Sequence, residues 1–169
     1  MSEPFAWLYQ AQADRQAAER FVGDERGTGR CHALAKWQQT VEKAVKALVS
    51  ALHDAGILST GIRTRHDVAR YVSMLIRLPR SRDNQAIQNH LHGLLDQNTR
   101  AGIKALDGLA PQLPPRRNTE YPFQDAQGEW TYPAAKGVFS QDEVQRFRAL
   151  AHRVLEGARP IVSAIRRRP

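Results

Sequence analysis

RCHALAKWQQTVEKAVKALVSALHDAG, residues 30–56, decides the fold class. Leu34, Trp37, Val41, Ala44, Leu48, Leu52 and Ala55 recur at steps of three and four, which lines them along one face of a helix. Lys36, Lys43, Lys46 and Asp54 fall off that stripe. Gly56 supplies the backbone freedom that ends a helix. Trp37, Val41 and Leu48 are therefore expected in a core.

The same period runs outward in both directions. A first helix is expected over about 3–22, with Phe5, Leu8, Phe21 and Val22 apolar. Gly23, Gly27 and Gly29 follow in the loop GDERGTGR. That loop lacks the GK[ST] ending and the preceding strand of a phosphate loop. A third helix is expected from Thr64, where Thr64 and Asp67 have the spacing of a capping box, to Pro79. A fourth is expected over about 84–109, its stripe interrupted at Asn98 and Gly102. A last helix opens on Ser140-Gln-Asp-Glu143, also a capping box, and Pro160 should kink or break it. Between the fourth and last helices lies a long irregular loop, 110–139, which holds five of the nine prolines together with Tyr121, Trp130 and Tyr132. Such long loops are commonly functional. No run alternates with the period of a strand. The expectation is an all-α, up-and-down bundle of about five helices in one domain over 1–169, with its core at about 5–165 and a frayed basic tail.

Composition narrows the function. The 169 residues carry a net charge of +8, which favours anionic partners such as RNA or nucleotides. The excess is nearly all arginine. Residues 57–82 hold six arginines against Asp67, and 140–169 hold seven against three acids; residues 1–28 hold five acids against three arginines. Arginine suits forked phosphate contacts and stacking on bases. No apolar run approaches the ~20 residues of a membrane span, and the acidic N-terminus lacks the pattern of a secretion signal. A single cysteine, Cys31, excludes a disulfide framework and a thiolate zinc site, and a cytoplasmic location is expected.

Few residues suggest chemistry. His90 and His92 are two apart and diverge on a helix, so they make a poor metal pair. Cys31 beside His32 lacks the facing geometry of a nucleophile and base. His152 shares a helical face with Arg148, four residues before it, but not with Arg146. His66-Asp67 opens the third helix behind Arg63 and Arg65, where His66 could face an anion and Asp67 could cap. In the loop, Arg116, Arg117 and Asn118 offer forked donors and an amide, and Tyr121-Pro122 holds the backbone extended. Two readings of that loop stand. It is a ligand site, or Arg117 caps carbonyls and Tyr121 is a buried anchor.

Three segments together resemble the HEPN family, the higher eukaryotes and prokaryotes nucleotide-binding domains. WQQTVEKAVKAL at 37–48 is similar to the family's alanine-rich helix. Thr64-Arg65-His66-Asp67-Val68 resembles its T-H-D-L segment with one residue inserted. Arg117-Asn118-Thr119-Glu120-Tyr121-Pro122-Phe123 resembles its R-Y-P loop. The resemblance implies a helical bundle, usually a dimer, that acts on RNA or nucleotides, without a metal or other cofactor. Many members are ribonuclease toxins or defence proteins paired with a nucleotidyltransferase or antitoxin. The family's nucleases carry an Arg, often Arg-Asn, followed after four to six residues by His. Here no His follows Arg117-Asn118 until His152, and Glu120 stands where the family has Arg. The chain therefore reads as an RNA- or nucleotide-binding module without the nuclease motif. Its ligand residues are expected to be Arg117, Asn118, Arg116, Arg65, His66, Asp67 and Tyr121, with Lys43 and Lys46. The alternatives are a ribonuclease toxin with an atypical Arg/His pair, and a subunit that binds an acidic antitoxin or a nucleotidyltransferase.

Overall fold

The computed structural model describes residues 2–22, 27–62, 68–79, 84–110, 117–135 and 137–167. Within them are six helices: α1 (Glu3–Val22), α2 (Gly27–Asp54), α3 (Val68–Ile76), α4 (Gln85–Leu94), α5 (Gln97–Asp107) and α6 (Gln141–Arg166). The fold is a helical bundle, as the periodicity predicts.

α2 is its axis. Trp37, Val41 and Leu48 are buried as expected, but so is every residue from Ala44 to Leu52. A single stripe cannot account for that. α1, α3, α5 and α6 all pack on α2, so its later turns are covered on every side. Small residues permit this crowding, since Ala33, Ala44, Ala47 and Ala51 let neighbouring backbones approach.

α1 packs on α2 through Pro4, Leu8, Ala11, Asp14 and Ala18, again at steps of three and four. The contact is partly ionic. Buried Asp14 accepts from Lys36 Nζ at 3.2 Å and from Lys43 Nζ. One helical turn later along α2, Lys46 pairs with Glu42 at 2.6 Å, and the Trp7 ring covers its ammonium at 4.9 Å. Each buried charge in this seam therefore has a partner, which burial demands.

The expected fourth helix is two. Leu95 leaves the helical conformation, and Asp96, with extended backbone, caps α5 by accepting from Thr99 N–H at 2.7 Å. Asn98 and Gly102 interrupt the apolar stripe but not the helix, because both lie inside α5. Gly102 has a packing role: a β-carbon there would press on Leu150 of α6 at 3.2 Å. Gly157 of α6 meets Leu94 of α4 still more closely, so the two helices approach where a side chain is absent.

α6 opens on the expected capping box, in which Ser140 Oγ accepts from Glu143 N–H and Glu143 accepts from Ser140 N–H. It runs through Pro160 without the break that the proline could have caused. The proline is exposed, so its ring meets solvent rather than a neighbouring helix, while Ala158, Ile161 and Val162 continue the buried face. The cost is one helical hydrogen bond.

The irregular segment holds the one sheet among the described residues. β1 (Phe123–Gln124) pairs antiparallel with β2 (Trp130–Thr131), in the register Phe123 to Thr131 and Gln124 to Trp130. The sequence gives no alternating run because each strand is two residues long. The hairpin is held by its turn instead. Asp125 accepts from the N–H groups of Gln127 and Glu129, and Gly128 takes φ +83°.

No described helix is long and apolar enough to cross a membrane.

Candidate functional site

Arg65, His66, Asp67 and Arg116 lie outside the described residues, as do Arg63 and the expected cap at Thr64. The remaining expected ligand residues do not converge.

Lys43 and Lys46 are internal. Both serve the α1–α2 seam, and Lys46 is only 5% exposed. They leave the candidate set because lysines adjoining buried acids are the cheapest way to neutralise them. Asn118 is 1% exposed, and its Oδ1 accepts from the N–H groups of Glu120 and Tyr121 at 2.9 and 2.7 Å. It shapes a turn and offers no surface to a ligand.

Arg117 takes the anchoring role. Its guanidinium donates to the Val138 carbonyl at 2.9 Å and to Glu143 Oε1 at 2.5 Å, and lies 5.0 Å from the Phe139 ring centroid. Arg30 of α2 donates to the next carbonyl, that of Phe139, at 3.2 Å. Two arginines thus tie the end of the irregular segment to the bundle. Burial pushes the Glu143 carboxyl up, but hydrogen bonds from Arg117 and the Ser140 N–H, with the fields of Arg117 and Arg146, outweigh it and leave the group below its ordinary value.

Tyr121 is not the buried anchor of the loop. It is 55% exposed, and Trp130 and Tyr132 are 65% and 60% exposed. Apart from Tyr9 on α1, these are the exposed large apolar side chains of the described residues, and all three sit in one segment of 12 positions. Trp130 lies in β2 and Tyr132 one residue beyond its end.

A groove of about 550 Å³ lies between the two stretches that flank the hairpin and the adjoining parts of α1 and α2, and of the three exposed rings Tyr132 lines it. Phe21, His32 and Tyr132 give it ring surfaces; His32 lies 5.4 Å from Phe21, ring to ring. Its polar lining includes Lys36, Gln39 and Glu120. Lys36 is committed to Asp14 and to the Gln39 carbonyl oxygen at 2.8 Å, which leaves the Gln39 amide nitrogen to donate. Glu120 has no ion pair among the described residues. Cys31 also lines the groove, but it is buried, its thiol donates to the Thr28 carbonyl, and burial raises its pKa. Burial thus works against the thiolate that a nucleophile needs.

The arginines of the last helix have a different fate. Arg148 and His152 both reach Glu19 of α1, at 2.9 and 2.7 Å. Arg15 faces His152 Nδ1 at 3.4 Å and Glu156 at 3.9 Å. Arg159 donates to Gln12, and Arg166 to Ser2 with its guanidinium over Phe5. The acidic first segment and the basic last helix are thus two sides of one seam. His152 lies half-buried with its ring 5.6 Å from Trp37, and as expected it shares this face with Arg148; Arg146 instead lies over Phe147. Burial raises the Glu19 carboxyl, and the hydrogen bonds from His152 and Arg148 more than reverse that. Among the described residues no cluster of three His, Cys, Asp or Glu could hold a metal.

The sequence reading missed the groove. Its walls come from three separate stretches, and only the clustering of Tyr121, Trp130 and Tyr132 pointed toward it. Comparison with protein-family models, with curated proteins and with solved structures finds no match to this chain.

Proposed function

We propose that the chain is an RNA- or nucleotide-binding module of the HEPN kind, and that it engages its ligand on the face where the stretches flanking the hairpin border the α1–α2 groove. The observation that carries this reading is the exposure of Tyr121, Trp130 and Tyr132 in one segment whose Tyr132 lines a groove, in a chain of net charge +8. Leaving large rings in water forgoes the stabilisation of burying them, so such residues mark contact surfaces. Rings on a basic protein suit nucleic acid, because every base presents a face on which to stack. The positive field draws the polyanion toward the protein. Non-cleaving binding is favoured over a ribonuclease because no His follows Arg117-Asn118 at the family's spacing, and His152, which has that spacing from Arg146, is held between Glu19 and Arg15 on the α1–α6 seam.

The reading includes a homodimer and a cytoplasmic protein, with a nucleotidyltransferase or antitoxin as a further partner. The test is incubation of purified protein with total RNA, scored for both retention and cleavage. Retention that weakens as salt rises, with the RNA intact, is expected. Cleavage would move the chain to the ribonuclease class, and failure to retain RNA at low salt would remove the reading.

A further inference from the structure

We infer that the groove takes an unpaired base of single-stranded RNA, with the phosphate left outside. This deepens the proposed function and rests on it.

The lining selects against phosphate. Its ammonium, that of Lys36, is already held by buried Asp14 and by Gln39. Its carboxylate, that of Glu120, has no cation beside it among the described residues and would repel a phosphate. Of the expected phosphate contacts, Arg117 and Asn118 are turned to other work. Among the described residues, a phosphate here would meet the Glu120 carboxylate and find no uncommitted counter-charge in the lining.

The same lining suits a base. Tyr132, His32 and Phe21 provide ring surfaces for its faces. Glu120 accepts hydrogen bonds, and the Gln39 amide nitrogen donates. A nucleobase edge carries both donors and acceptors, so the two groups match it as they cannot match a phosphate. Trp130, two residues before Tyr132 and 65% exposed, offers a stacking surface for the next base. Rings used in this way require unpaired bases, because a duplex hides the faces of its bases.

The experiment compares four fluorescein-labelled probes by anisotropy: 12-mers of uridine and of adenosine, a mixed-sequence duplex of the same length, and a 12-mer of abasic ribose phosphate. The single strands should bind at least ten times more tightly than the duplex and the abasic chain. Tyr132→Ala should weaken single-strand binding by about 5- to 150-fold, the usual loss for one stack. Because Tyr132 is mostly exposed, this variant should keep the parent's circular dichroism and melting temperature. Glu120→Gln should change the ratio of adenosine to uridine affinity and strengthen binding of the abasic chain. Equal binding of duplex and single strand, or undiminished binding by a folded Tyr132→Ala, would overturn base insertion while leaving RNA binding in place. Binding of none of the four would overturn both.

Discussion

Replacing Arg117 by alanine separates an anchor from a phosphate contact. The guanidinium makes three interactions: the hydrogen bond to the Val138 carbonyl, the pair with Glu143, and the approach to the Phe139 ring. The arginine side chain is 41% exposed and the glutamate 20%, so solvent screening reduces the ion pair to about 0.5 kcal/mol. The charge-assisted bond to a carbonyl and the ring contact each add about 0.5–1 kcal/mol. Arg117→Ala should thus lower stability by about 1.5–2.5 kcal/mol, or about 3–10 °C in melting temperature for a chain of this size. A double-mutant cycle with Glu143→Gln isolates the pair. The pH dependence has a definite sign. Folding lowers the Glu143 pKa, so its contribution is present above the ordinary glutamate value of about 4.3 and is lost as pH falls through the lower folded value. The deficit of Arg117→Ala against the parent should therefore be full at pH 7 and shrink below about pH 4. RNA affinity and its salt dependence should be unchanged. An Arg117→Ala protein that melts with the parent but binds RNA more weakly, with a shallower salt slope, would refute the anchor.

Asp14→Ala strands Lys43 beside a buried seam and should cost about 3 kcal/mol by denaturant melt, far more than a surface acid. Gly157→Val drives a branched side chain into Leu94 and should cost about 2 kcal/mol, with the loss concentrated in faster amide exchange of α4. Pro160→Ala restores a helical hydrogen bond at an exposed position and should raise stability by about 1–3 kcal/mol in thermal melts.

The helices were legible because their signals are local. Ser140 and Glu143 are three apart and report their own cap, and the α2 stripe reports its own buried side. The break between α4 and α5 was hidden because Leu91, Leu94 and Leu95 keep the period up to the break, while Ile103 and Leu106 resume it beyond. Asp96 followed by Thr99 was the cue, but a short acid three residues before a threonine is common. The site was less legible for a different reason. Arg117 meets a carboxylate 26 positions away, and Lys43 one 29 positions away, so no local pattern tells a committed cation from an available one. The charge asymmetry between the first 28 residues and the last 30 carried this information. It reads as a docking seam once acids and arginines are taken as complementary rather than as a field for a ligand.

The contact between Ser2 and Arg166 joins positions 164 apart and bends nearly the whole chain into a ring. A ring has no preferred starting point. With a short flexible linker across that contact, the chain should tolerate being cut elsewhere, and the exposed Asp125–Glu129 turn is the natural place. The permuted chain would begin and end at the hairpin tip, a few residues before Tyr132 of the groove. A reporter group or a second binding module fused there would sit next to any bound ligand, while the α1–α6 seam, now covalently closed, would lose the loop-closure entropy that opposes its formation.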